Sequence, residues 1–137
     1  MLAYLSTGKG NKNFPGEAKG AWLSKNRENI QAFYSNPKGG YRFTCNGFEN
    51  LFRMMKNTYD PDKYLVQNPT LPIYFVSGSD DAVLGGAENF AKTLAFMRKV
   101  GYQNVDGRLY NGLRHEIHNE LDNKEVLADL LAALATK

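Results

Sequence analysis

Two polar clusters in this 137-residue sequence carry side chains that do chemistry. NGLRHEIHNE, residues 111–120, holds both histidines, His115 and His118, and SGSDD, residues 77–81, offers the adjacent carboxylates Asp80 and Asp81. An imidazole titrates near neutral pH, so it can move protons or ligate a metal, and a carboxylate beside it can fix its tautomer and stabilise its charged form. Three readings of the histidine cluster compete: a metal site, a catalytic histidine with a bystander, or two surface imidazoles without a chemical role. His-Glu-x-His is one residue short of the helical His-Glu-x-x-His zinc motif, and Gly112 just before it indicates a loop, so neither a metal nor another cofactor is expected. The lone Cys45 rules out an internal disulfide and a cysteine-based zinc knuckle, and reads as a small buried hydrophobe.

Something must bring these clusters together. LPIYFVS, residues 71–77, is a continuous apolar run bounded by Pro72 and Gly78, the pattern of a parallel strand covered on both faces. A helix follows over residues 86–100, with Phe90, Leu94, Met97 and Val100 on one face and Gly101 as its C-terminal stop. A strand over 105–110 and a helix over 124–135 complete the order strand, helix, strand, helix. In such a unit ligands sit at the carboxyl ends of the strands, which is where SGSDD and NGLRHE fall. An acid and a histidine thirty-four positions apart in sequence would thus meet at one edge of a sheet.

Upstream, Leu2 to Ser6 reads as a further short buried strand, and residues 8–20 are too rich in Gly, Lys and Asn to be regular. Ser24 is the expected N-cap of a helix ending near Ser35, and Asn46 that of a second helix in which Phe48, Leu51, Phe52 and Met55 share a face. The aromatic residues Trp22, Phe33, Tyr34, Phe43, Phe48 and Phe52 have the spacing of core, although they could also line an apolar pocket.

The length suits a single domain, and the composition is that of an ordinary folded protein. No apolar run approaches the roughly 20 residues needed to span a bilayer, and MLAYLSTGKG lacks the pattern of a signal peptide, so a cytoplasmic location is expected. The net charge of +3 is uneven: residues 1–63 carry ten Lys or Arg against five acids, and residues 64–137 seven against nine. There is no basic run and no interleaved basic-aromatic stripe, which leaves a solvated face as the better reading and gives nucleic-acid binding little support.

LPIYFVSGSDDAV followed by RLYNGLRHEIHNE resembles the carboxy-terminal half of an α/β-hydrolase of the lysophospholipase and monoacylglycerol-lipase group, also called serine aminopeptidase-like. AWLSKNRENIQAFYSNPKGGYRFTCNGFENLF resembles the helical cap of that group, and LAYLSTGKG the sheet strand after the nucleophile's helix. Ala82 stands where the group often has proline. The resemblance implies one partial α/β-hydrolase domain over residues 1–137: the last three parallel strands, near 2–6, 72–77 and 105–110, with a helical cap inserted over about 8–67 and a βαβα unit over 68–137. It makes Asp81 the acid and His115 the base of a Ser-His-Asp triad, with the competing Asp80 disfavoured by the register of Gly78. Arg114 and Glu116 would then brace the histidine loop through ion pairs or hydrogen bonds, Ser79 and Asp80 would shape the turn, and His118 would lie at the surface or behind the site.

The nucleophile is missing. Gly-x-Ser-x-Gly occurs nowhere in the sequence, and none of Ser6, Ser24, Ser35, Ser77 or Ser79 lies in that context. The order Ser, acid, His in this fold implies a serine upstream of Met1. The resemblance therefore implies part of a serine hydrolase of carboxylic esters, with lipid-like monoacyl substrates, an amide substrate remaining open. This chain alone is expected to be inactive, and to associate with a missing amino-terminal half or with another copy through the strand at 2–6, whose outer edge would otherwise be open. The alternative is a non-catalytic binding or assembly module.

Overall fold

The computed structural model describes residues 10–38 and 43–135. Its centre is a parallel pair of strands, β1 (Ile73–Gly78) and β2 (Val105–Tyr110), paired in register from Ile73 opposite Val105 to Gly78 opposite Tyr110. The helices are α1 (Arg27–Ser35), α2 (Cys45–Thr58), α3 (Ala87–Val100) and α4 (Lys124–Ala135). Because α3 connects two parallel neighbours, β1, α3 and β2 form one crossover unit, and α4 follows as the alternation requires. The expected strand at 2–6 lies outside the described residues.

Side chains alternate across a strand, and β2 uses both faces. Arg108 and Tyr110 face α4: the Arg108 guanidinium pairs with Glu125 and with Asp129, and the Tyr110 hydroxyl donates to Asp129 Oδ2 at 2.9 Å. Gly107 faces α3, where a Cβ would stand 2.9 Å from Phe90 Cζ. The two helices therefore flank β2 on opposite sides, giving helix, sheet and helix in three layers. On the α4 side Tyr110, Leu113, Ile117 and Val126 form a buried cluster joined by Val76 and Leu130. Val126 has no exposed surface, a burial worth roughly 1.5–3 kcal/mol.

Several local expectations change. α1 is capped by Asn26, whose side-chain oxygen accepts from Glu28 N and Asn29 N; Ser24 lies two residues earlier, where its hydroxyl donates to Glu120 and accepts from Asn26 N at 2.9 Å. α2 is capped by Thr44, which accepts from Gly47 N at 3.1 Å, so it starts before Asn46. Cys45, expected to be buried, is exposed in the first turn of α2. Of the six aromatics read as core only Phe48 is buried; Trp22 and Phe33 are half-buried, and Tyr34, Phe43 and Phe52 are exposed. β1 is also less covered than its apolar run suggested: Tyr74 is 37% exposed, since β2 is the one strand that flanks β1 among the described residues. The face of Phe48, Leu51, Phe52 and Met55 forms on α2 as the spacing requires, yet Met55 is exposed.

Candidate active site

Both chemical clusters leave the sheet at its carboxyl edge, and backbone hydrogen bonds fasten one to the other. Ser79 N donates to Tyr110 O at 2.9 Å, Asp80 N to Leu113 O at 3.0 Å, and Gly112 N to Ser79 Oγ at 2.7 Å. The loops approach so closely at Gly78 that a Cβ there would lie 2.0 Å from Leu113 O and 2.6 Å from Arg114 O. Only a residue without a side chain fits between the strand end and the histidine loop. Gly112 turns that loop with a φ of 70°, a conformation glycine adopts at little cost.

This seam brings Asp81 and His115 together. His115 Nδ1 lies 3.2 Å from Asp81 Oδ1 and 3.1 Å from Oδ2. Asp81 is buried, and its carboxylate also accepts from Val83 N at 2.8 Å and from the Ser77 hydroxyl at 3.2 Å. Burial pushes the Asp81 carboxyl up, but the hydrogen bonds from His115 and Val83 outweigh it and hold the group below the usual carboxylate range. The same bond to Asp81 raises the His115 imidazole above its ordinary value against partial desolvation, with the Asp81 and Glu116 charges adding to the rise. The carboxylate thus favours the charged ring and holds Nδ1, leaving Nε2 as the nitrogen free to exchange a proton with another group. Asp80 stays exposed and accepts from the Ser79 hydroxyl at 3.0 Å, within the turn.

Arg114 and Glu116 both brace the histidine loop, but not through each other. The buried Arg114 guanidinium grips Glu17 with two bonds of 2.9 and 2.7 Å, donates to Ala21 O at 2.7 Å and lies 4.0 Å over the Phe14 ring. Glu116 accepts from the side chains of Asn29 and Asn119, and its N–H donates to Leu23 O at 2.8 Å. The sequence reading missed the strongest brace, Glu120. One oxygen of this buried carboxylate accepts from Arg114 N at 3.0 Å, and the other from Ser24 Oγ and Lys25 N, each at 2.8 Å. Its partners are ninety-six residues away in sequence or are backbone groups, so no local pattern could have shown it.

His118 is exposed, and its carbonyl accepts from the Asn123 side chain at 2.7 Å. Among the described residues no three His, Cys, Asp or Glu side chains gather as metal ligands, and no helix is long and apolar enough to cross a membrane. Three serines near the dyad are otherwise engaged: Ser77 donates to Asp81, Ser79 to Asp80, and Ser24 to Glu120. A cavity of about 1200 Å³ lies at the opposite edge of the sheet, beside Ile73, Val105 and Leu134. A smaller one of about 470 Å³ lies along α2. Neither is lined by Asp81 or His115, and in parallel sheets it is the carboxyl edge that holds ligands.

The sequence matches the serine aminopeptidase S33 family over residues 1–122. The chain belongs to that family. A search of curated proteins gives no significant match to this S33 chain. Among solved structures it is similar to a thermostable carboxyl esterase from Bacillus coagulans in complex with glycerol, at 20% identity and a TM-score of 0.77, over 98% of this chain and 44% of that one. It is also similar to a soluble variant of monoglyceride lipase from Saccharomyces cerevisiae in complex with a substrate analog, at 18% identity and a TM-score of 0.56, over 87% of this chain and 42% of that one. These likenesses show the fold: a partial α/β-hydrolase. The S33 chain spans less than half the length of either structure.

Proposed function

We propose that this S33 chain carries the acid and the base of a serine hydrolase that cleaves carboxylic esters, with lipid-like monoacyl esters as the substrate class. The observation that carries the reading is the contact of His115 Nδ1 with the buried Asp81 carboxylate at the carboxyl edge of the sheet, 3.1 Å at its shorter arm. In this reading residues 68–137 supply the dyad, residues 8–67 form a cap above it, and Arg114, Glu116 and Glu120 brace the histidine loop. The nucleophilic serine comes from polypeptide outside these 137 residues. Its hydroxyl proton passes to His115 Nε2 as Oγ attacks the ester carbonyl, and the imidazolium donates from Nδ1 to Asp81. His115 then returns that proton to the departing alcohol, takes another from the water that attacks the acyl-serine, and passes it to the serine Oγ as the carboxylic acid departs. The esterase and lipase neighbours support an ester rather than an amide substrate. The single cysteine suits a reducing compartment, and we assign the enzyme to the cytoplasm.

The partner in this reading is the amino-terminal half of the fold or a second copy of the chain, meeting it along the segment at 2–6. A fluorophosphonate probe tests the assignment. The isolated chain should remain unlabelled, whereas the chain joined to a preceding segment bearing Gly-x-Ser-x-Gly should be labelled and should hydrolyse monoacylglycerols. Asp81→Asn and His115→Gln should each reduce that hydrolysis by a factor of at least about a thousand. Stoichiometric labelling of the 137 residues alone, or full activity after His115→Gln, would overturn the reading.

A further inference from the structure

The seam between the dyad and the upstream segment contains an aromatic contact that the triad does not require. Trp22, the chain's one tryptophan, is half-buried with its ring centroid 5.3 Å from that of His115, the planes inclined by 39°. Gly10 packs closely against it: a Cβ there would stand 2.7 Å from Trp22 Cγ. The residues on either side of Trp22 are fastened to the residues on either side of His115. Arg114 donates to Ala21 O, Glu116 N donates to Leu23 O, and Glu120 ties Ser24 to Arg114 N. Two short segments ninety-three residues apart are thereby clamped so that one ring faces the other.

A cation within about 6 Å of an indole is attracted by the ring's negative face. His115 becomes a cation whenever it takes a proton. Asp81 meets that charge at Nδ1, whereas Trp22 meets the ring from a plane inclined by 39°. The charged residues acting on the imidazole are Asp81 and Glu116; Glu120, Lys25 and the Arg114–Glu17 pair belong to the surrounding clamp. The His115 side chain retains 38% of its surface, so the indole does not bury it.

We propose that Trp22 is a positioning residue for the base: clamped to the histidine loop, it lies in tilted ring contact with His115 and stabilises the imidazolium that forms when the ring accepts the nucleophile's proton. This rests on the reading of His115 as the base held by Asp81, but its tests need no activity and use the full chain. Imidazolium accepts an electron from an excited indole and quenches it. Emission from Trp22 should therefore fall as the chain is acidified, with the midpoint of the His115 titration followed by NMR, and His115→Gln should abolish the change. NMR titration of Trp22→Leu should show the His115 midpoint lowered by roughly half a pH unit, and Trp22→Phe an intermediate value, with His118→Gln used to assign the two histidines. A pH-independent emission would overturn the contact. An unchanged or raised midpoint in Trp22→Leu would overturn the stabilising role, because an indole that merely excludes water lowers the midpoint and its removal raises it. Asp81→Asn separates the two readings: if it leaves the midpoint unchanged the dyad itself fails, whereas if it lowers the midpoint and Trp22→Leu does not, only the role of Trp22 fails.

Discussion

The carboxyl edge of the sheet and the outer face of α4 hold their positions in different ways. At the carboxyl edge nearly every polar group near Asp81 and His115 has a named partner, and those partners come from residues 10–29, 77–83 and 110–120 together. On α4 the inner side is buried through Val126 and Leu130, while Leu127, Leu131 and Leu134 are 44%, 69% and 79% exposed. The site therefore derives its geometry from directional bonds and a close backbone approach, and the periphery from apolar burial that the described residues complete on one side only. A substitution should be costly where geometry is over-determined and mild where a side chain has little to lose.

Gly78→Ala tests the first half of that contrast most severely. The added methyl would meet Leu113 O at 2.0 Å, and backbone on both sides must move. We expect a loss of about 3 kcal/mol in urea unfolding and disappearance of the His115–Asp81 contact by NMR. A loss below about 1 kcal/mol would show that the two loops are not seated against each other. Glu120→Gln comes next. One acceptor oxygen becomes an amide NH₂ facing a donor in a buried site, which should cost about 2 kcal/mol, measured in the same way. A neutral result would mean that the clamp between Ser24, Lys25 and Arg114 does not persist in solution.

The pH dependence of stability sharpens the comparison within the site. His115 is raised above 6.5 in the folded chain, so its contribution is fully present below 6.5 and is lost as pH rises through the folded value. Asp81 is lowered from 3.8, so its contribution is present above 3.8 and is lost as pH falls through the folded value. The dyad should stabilise the fold most between about 3.8 and 6.5, and the difference in urea midpoint between the native chain and Asp81→Asn should be largest there. A difference that does not change with pH would separate Asp81 from the titration of His115. In the proposed reaction the base must be neutral, so hydrolysis by the chain joined to a serine-bearing segment should rise with pH through the same raised His115 value.

The periphery should respond weakly. Leu134→Ser on the exposed side of α4 should change stability by less than about 0.5 kcal/mol. A loss several times larger would show that this face is covered in solution. Smallest of all, Glu88→Gln removes one partner of the exposed Glu88–Lys92 pair on α3, held at 2.7 Å, and should cost no more than about 0.3–0.5 kcal/mol, vanishing in high salt.

The sequence alone determined the main elements after residue 70 and the polar clusters at their ends. The apolar run before Gly78 and the alternation after it specify β1, α3, β2 and α4, with β2 and α4 found at the limits their residues suggested, because hydrophobic period and helix-stop signals are local. That the two polar clusters meet was legible for a related reason, since strand ends in a parallel unit converge on one edge; the choice of Asp81 over Asp80 came from the family resemblance. What tertiary structure decided is what depends on a distant partner. Ser24 reads as a helix cap, yet Asn26 caps α1 and the Ser24 hydroxyl donates to Glu120; Arg114 pairs with Glu17 rather than with nearby Glu116, and an aromatic spacing that suggested core leaves most of its rings half-covered or exposed. The need for glycine at position 78 and the placement of Trp22 against His115 belong to the same class. Each is set by the meeting of two backbone segments, and a sequence records such a meeting only in residues that look ordinary where they stand.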